Sequence, residues 1–116
     1  MSNGLTGLPE TMTVIEITEF GGPEVLKPVK RALPAPAANE VLIRNAAAGI
    51  NRPEVLQRKG FYPPPPGATD IPGLEAAGTI AAVGGNVKDW APGDKVCALL
   101  PGGGYGEYAT VDAGSC

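Results

Sequence analysis

Hydrophobic and polar positions alternate along much of the chain. In TVIEITEF, from Thr13 to Phe20, Ile15 and Ile17 alternate with Glu16 and Thr18, the period of two that marks a half-buried strand with the isoleucines inward. GGPE then supplies a turn. VLKPVKRA is a weaker strand, and its Pro28 cannot donate to a ladder, so it belongs at a sheet edge. After the Pro-rich loop ALPAPAANE, EVLIRNAAAG is the next strand, ending in small residues where something approaches the backbone closely.

One helix is predicted, in RPEVLQRKG. Pro53 suits the first helical position, Glu54 sits at the positive end, Arg58 and Lys59 sit at the negative end, and Gly60 can close it. Beyond the loop YPPPPGATDIPG, LEAAGTIAAVG reads as a buried strand pair bent at Gly78. DKVCALLP and YGEYATV add two further strands, separated by the glycines of PGGGYG. Short strands, one short helix and frequent turns predict a mainly β chain built as a small barrel. Residues 1–11 carry turn formers without periodicity and are expected to form a loose, flexible extension, leaving 12–116 as the domain.

Composition narrows the functional classes. In 116 residues, 43% hydrophobic and 18% charged content suits a packed domain rather than a disordered tail. The net charge of −3 and the lack of a Lys/Arg block argue against nucleic acid and against an anionic membrane surface as partners. No apolar run approaches the length that spans a bilayer, and the amino terminus lacks a charged segment followed by an apolar one, so the chain reads as cytoplasmic.

Histidine is absent, which removes the usual general base and the commonest metal ligand. Cys97 lies in an apolar strand-like run and is expected to be a buried small hydrophobe, while Cys116 is read as an incidental terminal thiol. GGGYG, Gly102–Gly106, lacks both the GxGxxG spacing and a following helical pattern, so it reads as punctuation between strands rather than a phosphate loop.

The strings EITEFGGPEVLK, EVLIRNAAAGINRPEVLQRKGFYPPPPG, DIPGLEAAGTIAAVG and PGDKVCALLPGGGYGEYATV, in this order, resemble the amino-terminal GroES-like half of the medium-chain dehydrogenases/reductases. Within that superfamily they are similar to the zinc-free quinone oxidoreductases, the zeta-crystallin-like proteins. The resemblance implies a partly open GroES-like β-barrel with one short helix. It also implies that a Rossmann domain binding the dinucleotide lies outside these residues, and that the chain is a truncated part of a two-domain enzyme.

Where zinc-dependent relatives of this superfamily carry Gly-His-Glu, this chain has Gly73-Leu74-Glu75, and Asn51 stands where they have a cysteine ligand. With two of three ligands replaced, no catalytic zinc is expected. Glu75 is then expected to be structural, a part-buried carboxylate paired with a backbone donor or an arginine. By the same resemblance Asn51 lies at the cleft mouth near the nicotinamide, touching both cofactor and substrate; as a bare residue it reads equally as a helix cap. Tyr62 matches a cleft tyrosine suited to stacking on a quinone or bonding its carbonyl, or else a loop anchor packed on the prolines. Asn51, Tyr62 and the PGGGYG loop are expected to line one wall of the cleft.

The implied activity is hydride transfer from NADPH to a quinone, with the full-length family forming homodimers. The alternative is a free-standing GroES-like module for binding or assembly, without turnover.

Overall fold

A computed structural model describes residues 7–116; the first six residues of the expected extension lie outside them. Strands β1 (Thr11–Ile17) and β2 (Leu26–Ala32) form an antiparallel hairpin, with Thr11 opposite Ala32 and Ile15 opposite Pro28. Thr11 is thus already a paired residue. Pro28 is accommodated because β2 has β1 as its sole neighbour in a two-stranded sheet.

The second sheet has four strands, β3 (Glu40–Ala48), β4 (Glu75–Val83), β5 (Lys95–Leu99) and β6 (Tyr108–Asp112), in the order β5-β4-β3-β6 and antiparallel throughout. The two sheets do not close into a barrel; they meet at a single bridge between Val14 and Gly106. The fold is mainly β, partly open, with helix α1 (Arg52–Lys59) between β3 and β4. No helix among the described residues is long and apolar enough to cross a membrane.

In β3, Val41, Leu42 and Ile43 are all fully buried, which a strand achieves only when both its faces are covered. Val41 and Ile43 pack with Ile80, Ala98, Leu100 and Val111 on one side. Leu42 packs with Met12, Val14, Ile71 and Tyr108 on the other, where the hairpin lies over the sheet.

Three sequence expectations are corrected here. The segment 74–84 is not a strand pair: β4 is one strand of nine residues. Its expected bend is replaced by a bulge in β3, where Asn45 faces Gly78 and Ala47 faces Ala77, leaving Ala46 over. Gly78 is required for this approach, since a Cβ there would stand 2.0 Å from the Arg44 carbonyl oxygen.

In β1 the core positions are Met12 and Val14, whereas Ile15 and Ile17 are only half-buried. The strand is apolar on both sides, so alternation with Glu16 and Thr18 identified the wrong one as the core face. Cys97 is exposed, not buried: β5 is an edge strand in which Ala98 turns inward while Cys97 and Leu99 turn to solvent.

Candidate active-site wall

Helix α1 buries polar rather than apolar side chains. Its wholly buried residues are Glu54 and Gln57, 4% and 8% exposed, while Val55 and Leu56 are half-buried. Each buried group is hydrogen-bonded, as burial demands. Gln57 Nε2 donates to the Asp70 carbonyl oxygen at 2.9 Å. The Glu54 carboxylate accepts from two backbone N–H groups, of Asn51 through Oε1 and of Leu74 through Oε2, the latter at 2.9 Å. The first contact is the reaching-back half of a capping box. The second ties the start of the helix to the start of β4. The helix ends at Gly60, at φ 92° and ψ 11°, the left-handed closure predicted for it.

Asn51 is the N-cap residue of α1, with extended backbone. Its side-chain amide donates to Glu75 Oε1 at 3.0 Å. Glu75 is half-buried, and its partner is this amide rather than a backbone donor or an arginine. The carboxylate passes so close to Gly49 that a Cβ there would stand 2.1 Å from Oε1. Asn51, Glu54, Leu74 and Glu75 thus form one connected cluster. Leu74 offers it only a backbone N–H, already donated to Glu54. To this cluster Leu74 brings an aliphatic side chain and Asn51 an amide engaged with Glu75, neither of them among the usual protein ligands of zinc.

Tyr62 lies on the other side of α1. It lines a hollow of about 260 Å³ with Ile17, Phe20, Gln57, Pro63 and Pro64. Phe20 and Phe61 near it are 72% and 75% exposed. Asn51 does not line this hollow, so the structure does not bring the two sequence-predicted contact residues into one pocket.

A wider groove of about 620 Å³ runs between the hairpin and α1, lined by Ile15, Leu26, Ile50, Val55 and Tyr105, with Glu54 at its floor. Tyr105 is a residue of this groove that the sequence reading included only as part of the PGGGYG loop and did not single out. It stands in the PGGGYG loop, and burial, then the nearby Glu54, pushes its phenol above its ordinary range. The loop is spoken for by its own backbone: Gly103, Gly104 and Tyr105 donate their N–H groups to the carbonyls of Ile71, Gly73 and Pro72 at 2.8, 3.0 and 3.0 Å. Donors used in this way cannot cradle a phosphate. Of this loop, Tyr105 lines this groove, and no residue of the loop lines the Tyr62 hollow.

The alcohol dehydrogenase GroES-like domain family matches residues 37–116. The chain belongs to this family of the medium-chain dehydrogenases/reductases. Within it, the chain is 42% identical over 100 residues to the quinone oxidoreductase of Rattus norvegicus, covering 84% of this chain and 30% of that protein. It is 40% identical over 99 residues to quinone oxidoreductase 1 of Escherichia coli, covering 85% of this chain and 29% of that protein. The solved quinone oxidoreductase of Pseudomonas syringae superposes with a TM-score of 0.80 at 34% identity, over 90% of this chain and 32% of that one. The chain therefore spans about 30% of the length of these relatives.

Proposed function

We propose that the chain is the substrate-side domain of a zinc-independent, NADPH-dependent quinone oxidoreductase. The reading rests on the Asn51–Glu75 pair beside Leu74, an amide held by a carboxylate where a metal-dependent site needs ligands. A quinone is electron-poor and accepts hydride without a Lewis acid, so positioning supplies most of the catalysis. An asparagine amide has two N–H donors. Glu75 takes one of Asn51's, and the other is offered to a quinone oxygen or to the nicotinamide carboxamide. Tyr62 offers a ring to stack on the quinone plane or a phenol for its carbonyl. NADPH, when bound, supplies the hydride, and most of its contacts come from outside these residues. The same reading makes the protein cytoplasmic, a homodimer in its full-length form, and no binder of nucleic acid.

The test is a chimera joining this chain to the remaining length of E. coli quinone oxidoreductase 1. The expected result is NADPH oxidation dependent on 1,4-naphthoquinone, no oxidation of ethanol, and no turnover by the 116-residue chain alone. A folded chimera inert to quinones, or a chain that turns over unaided, overturns the proposal; the former favours a module for binding or assembly.

A further inference from the structure

Gln57 is the buried polar side chain of α1 that takes no part in the Asn51–Glu75 cluster. It is 8% exposed and borders a mostly apolar hollow, where leucine or methionine would pack without the cost of desolvating an amide.

The orientation of this amide is fixed by its partner. The Asp70 carbonyl oxygen accepts and cannot donate, so the atom 2.9 Å from it is Nε2, and Oε1 is the other end of the group. Asp70 is held in turn, because its carboxylate receives Arg31 Nη1 at 2.8 Å while Arg31 Nη2 lies 2.7 Å from the Glu16 carboxylate of β1. The backbone of Gln57 is fixed as well, since its carbonyl receives the Gly60 N–H at 3.1 Å where α1 closes. Oε1 is thus held in place, yet among the described residues no group donates to it. Nor is it sealed in. Asn45 Oδ1 is the sole side-chain atom among the described residues that is buried without a partner, so Oε1 reaches open space, and the space that Gln57 borders is the hollow it shares with Tyr62.

The rest of the lining decides what Oε1 can meet there. Ile17 and Phe20 are apolar, and Pro63 and Pro64 have no N–H. The Tyr62 phenol and the second N–H of Gln57 can serve a carbonyl of the ligand, whereas Oε1 needs a donor. A plain quinone has only acceptors. Once it displaces water it leaves Oε1 unbonded, and a site that offers an acceptor to a hydroxyl discriminates against the analogue lacking one. The hollow, about 260 Å³, lies just under the usual range of roughly 300–1,000 Å³ and suits one small planar molecule.

We propose that Gln57 is a specificity-determining residue whose Oε1 accepts a hydrogen bond from a ring hydroxyl, so that the hollow takes a hydroxylated aromatic quinone in preference to an unsubstituted one. This assignment rests on the reading that the hollow holds the quinone ring.

The experiment compares two redox-inert ligands of one ring system, 1-naphthol and 1-methoxynaphthalene, titrated into the 116-residue chain and followed by amide NMR. Gln57 is the sole glutamine of the chain, and its side-chain amide signals are identified by their loss in Gln57→Met. The expected result is that 1-naphthol shifts those signals and binds about threefold to tenfold tighter than its methyl ether, the range set by one net hydrogen bond. Folded Gln57→Met should bind the two alike. Equal binding to the unmodified chain, binding of neither compound, unmoved Gln57 signals or a preference that survives in folded Gln57→Met each overturns the proposal, and the first three need no variant. Neither ligand takes hydride, so the outcome is separate from turnover. A chimera inert to quinones beside an intact preference for 1-naphthol overturns the quinone reading and leaves Gln57 as a hydroxyl acceptor, whereas an active chimera without the preference overturns the role of Gln57 alone.

Discussion

Around the start of α1 the side chains differ in how much of the local structure hangs on them. Glu54 is 4% exposed and holds two backbone donors, so Glu54→Gln leaves one of those N–H groups facing another donor. A loss of about 1–3 kcal/mol is expected, measured by urea denaturation. Glu75→Gln keeps an acceptor for the Asn51 amide, so a change of at most about 1 kcal/mol in stability is expected, and turnover of the quinone-reducing chimera should persist. Tyr62→Ala in that chimera should instead lower quinone kcat/KM by the equivalent of about 1–3 kcal/mol, if its ring or phenol holds the acceptor. Steady-state assays on the two variants separate these roles. The helix cap at Asn51 was legible from Pro53 and Glu54 beside it, but the Glu54–Leu74 bond was not, because it joins residues twenty apart that only the folded chain brings together. Tyr105 carries a pH signature. Its phenol is shifted upward, so the folded state holds that proton more tightly than the unfolded chain. This contribution to stability is complete below the ordinary tyrosine pKa and disappears as pH rises through the raised value. The Cys116 thiol, raised by burial, then by Asp112 and Cys97, acts in the same direction from a lower pH. In a Cys116→Ser background, Tm should fall as pH rises above about 10, and Tyr105→Phe should flatten that fall.

At the scale of elements, the six strands and the helix were largely readable, since alternation, the capping residues of α1 and the position of Pro28 each act locally. Which face of a strand is inward is a different kind of fact. Ile15 and Ile17 look like core residues until the hairpin's tilt over the sheet places Met12 and Val14 inward and leaves the isoleucines lining the groove and the hollow. Cys97 was misjudged for a related reason, because an apolar run is buried on both faces only in a central strand. Gly78 shows what was half-legible: the sequence marked the glycine as a bend, and the structure has instead a close backbone approach at the β3 bulge. Gly78→Ala would drive a methyl into the Arg44 carbonyl, so the two strands must separate locally. The expected cost is at least about 1–3 kcal/mol, with increased amide exchange along β3 and β4 as the accompanying sign.

For the molecule as a whole, the family and the open, mainly β architecture were legible because long motif strings survive in order across the chain. The division into two hollows on either side of α1 was not, since it depends on where the hairpin rests. Ile50, Phe20 and Phe61 remain 83%, 72% and 75% exposed around those hollows. Exposed aromatic and aliphatic groups of this kind bind apolar dyes. Addition of 8-anilinonaphthalene sulfonate should therefore give a fluorescence gain that Phe20→Ser with Phe61→Ser reduces. The placement of β3 has a consequence for how the protein is made. Its ladder with β4 joins Val41 to Val83, but its other ladder joins Val41 to Val111, seventy residues further along the chain. A ribosome delivers these strands in order, so β3 emerges with one neighbour soon to follow and the other only after β4 and β5 have been made. Until β6 is released, Val41, Leu42 and Ile43 have an unclaimed flank, and the nascent chain waits in a form that chaperones recognise. The buried centre of β3 is in effect completed from a distance, by a strand made seventy residues after it.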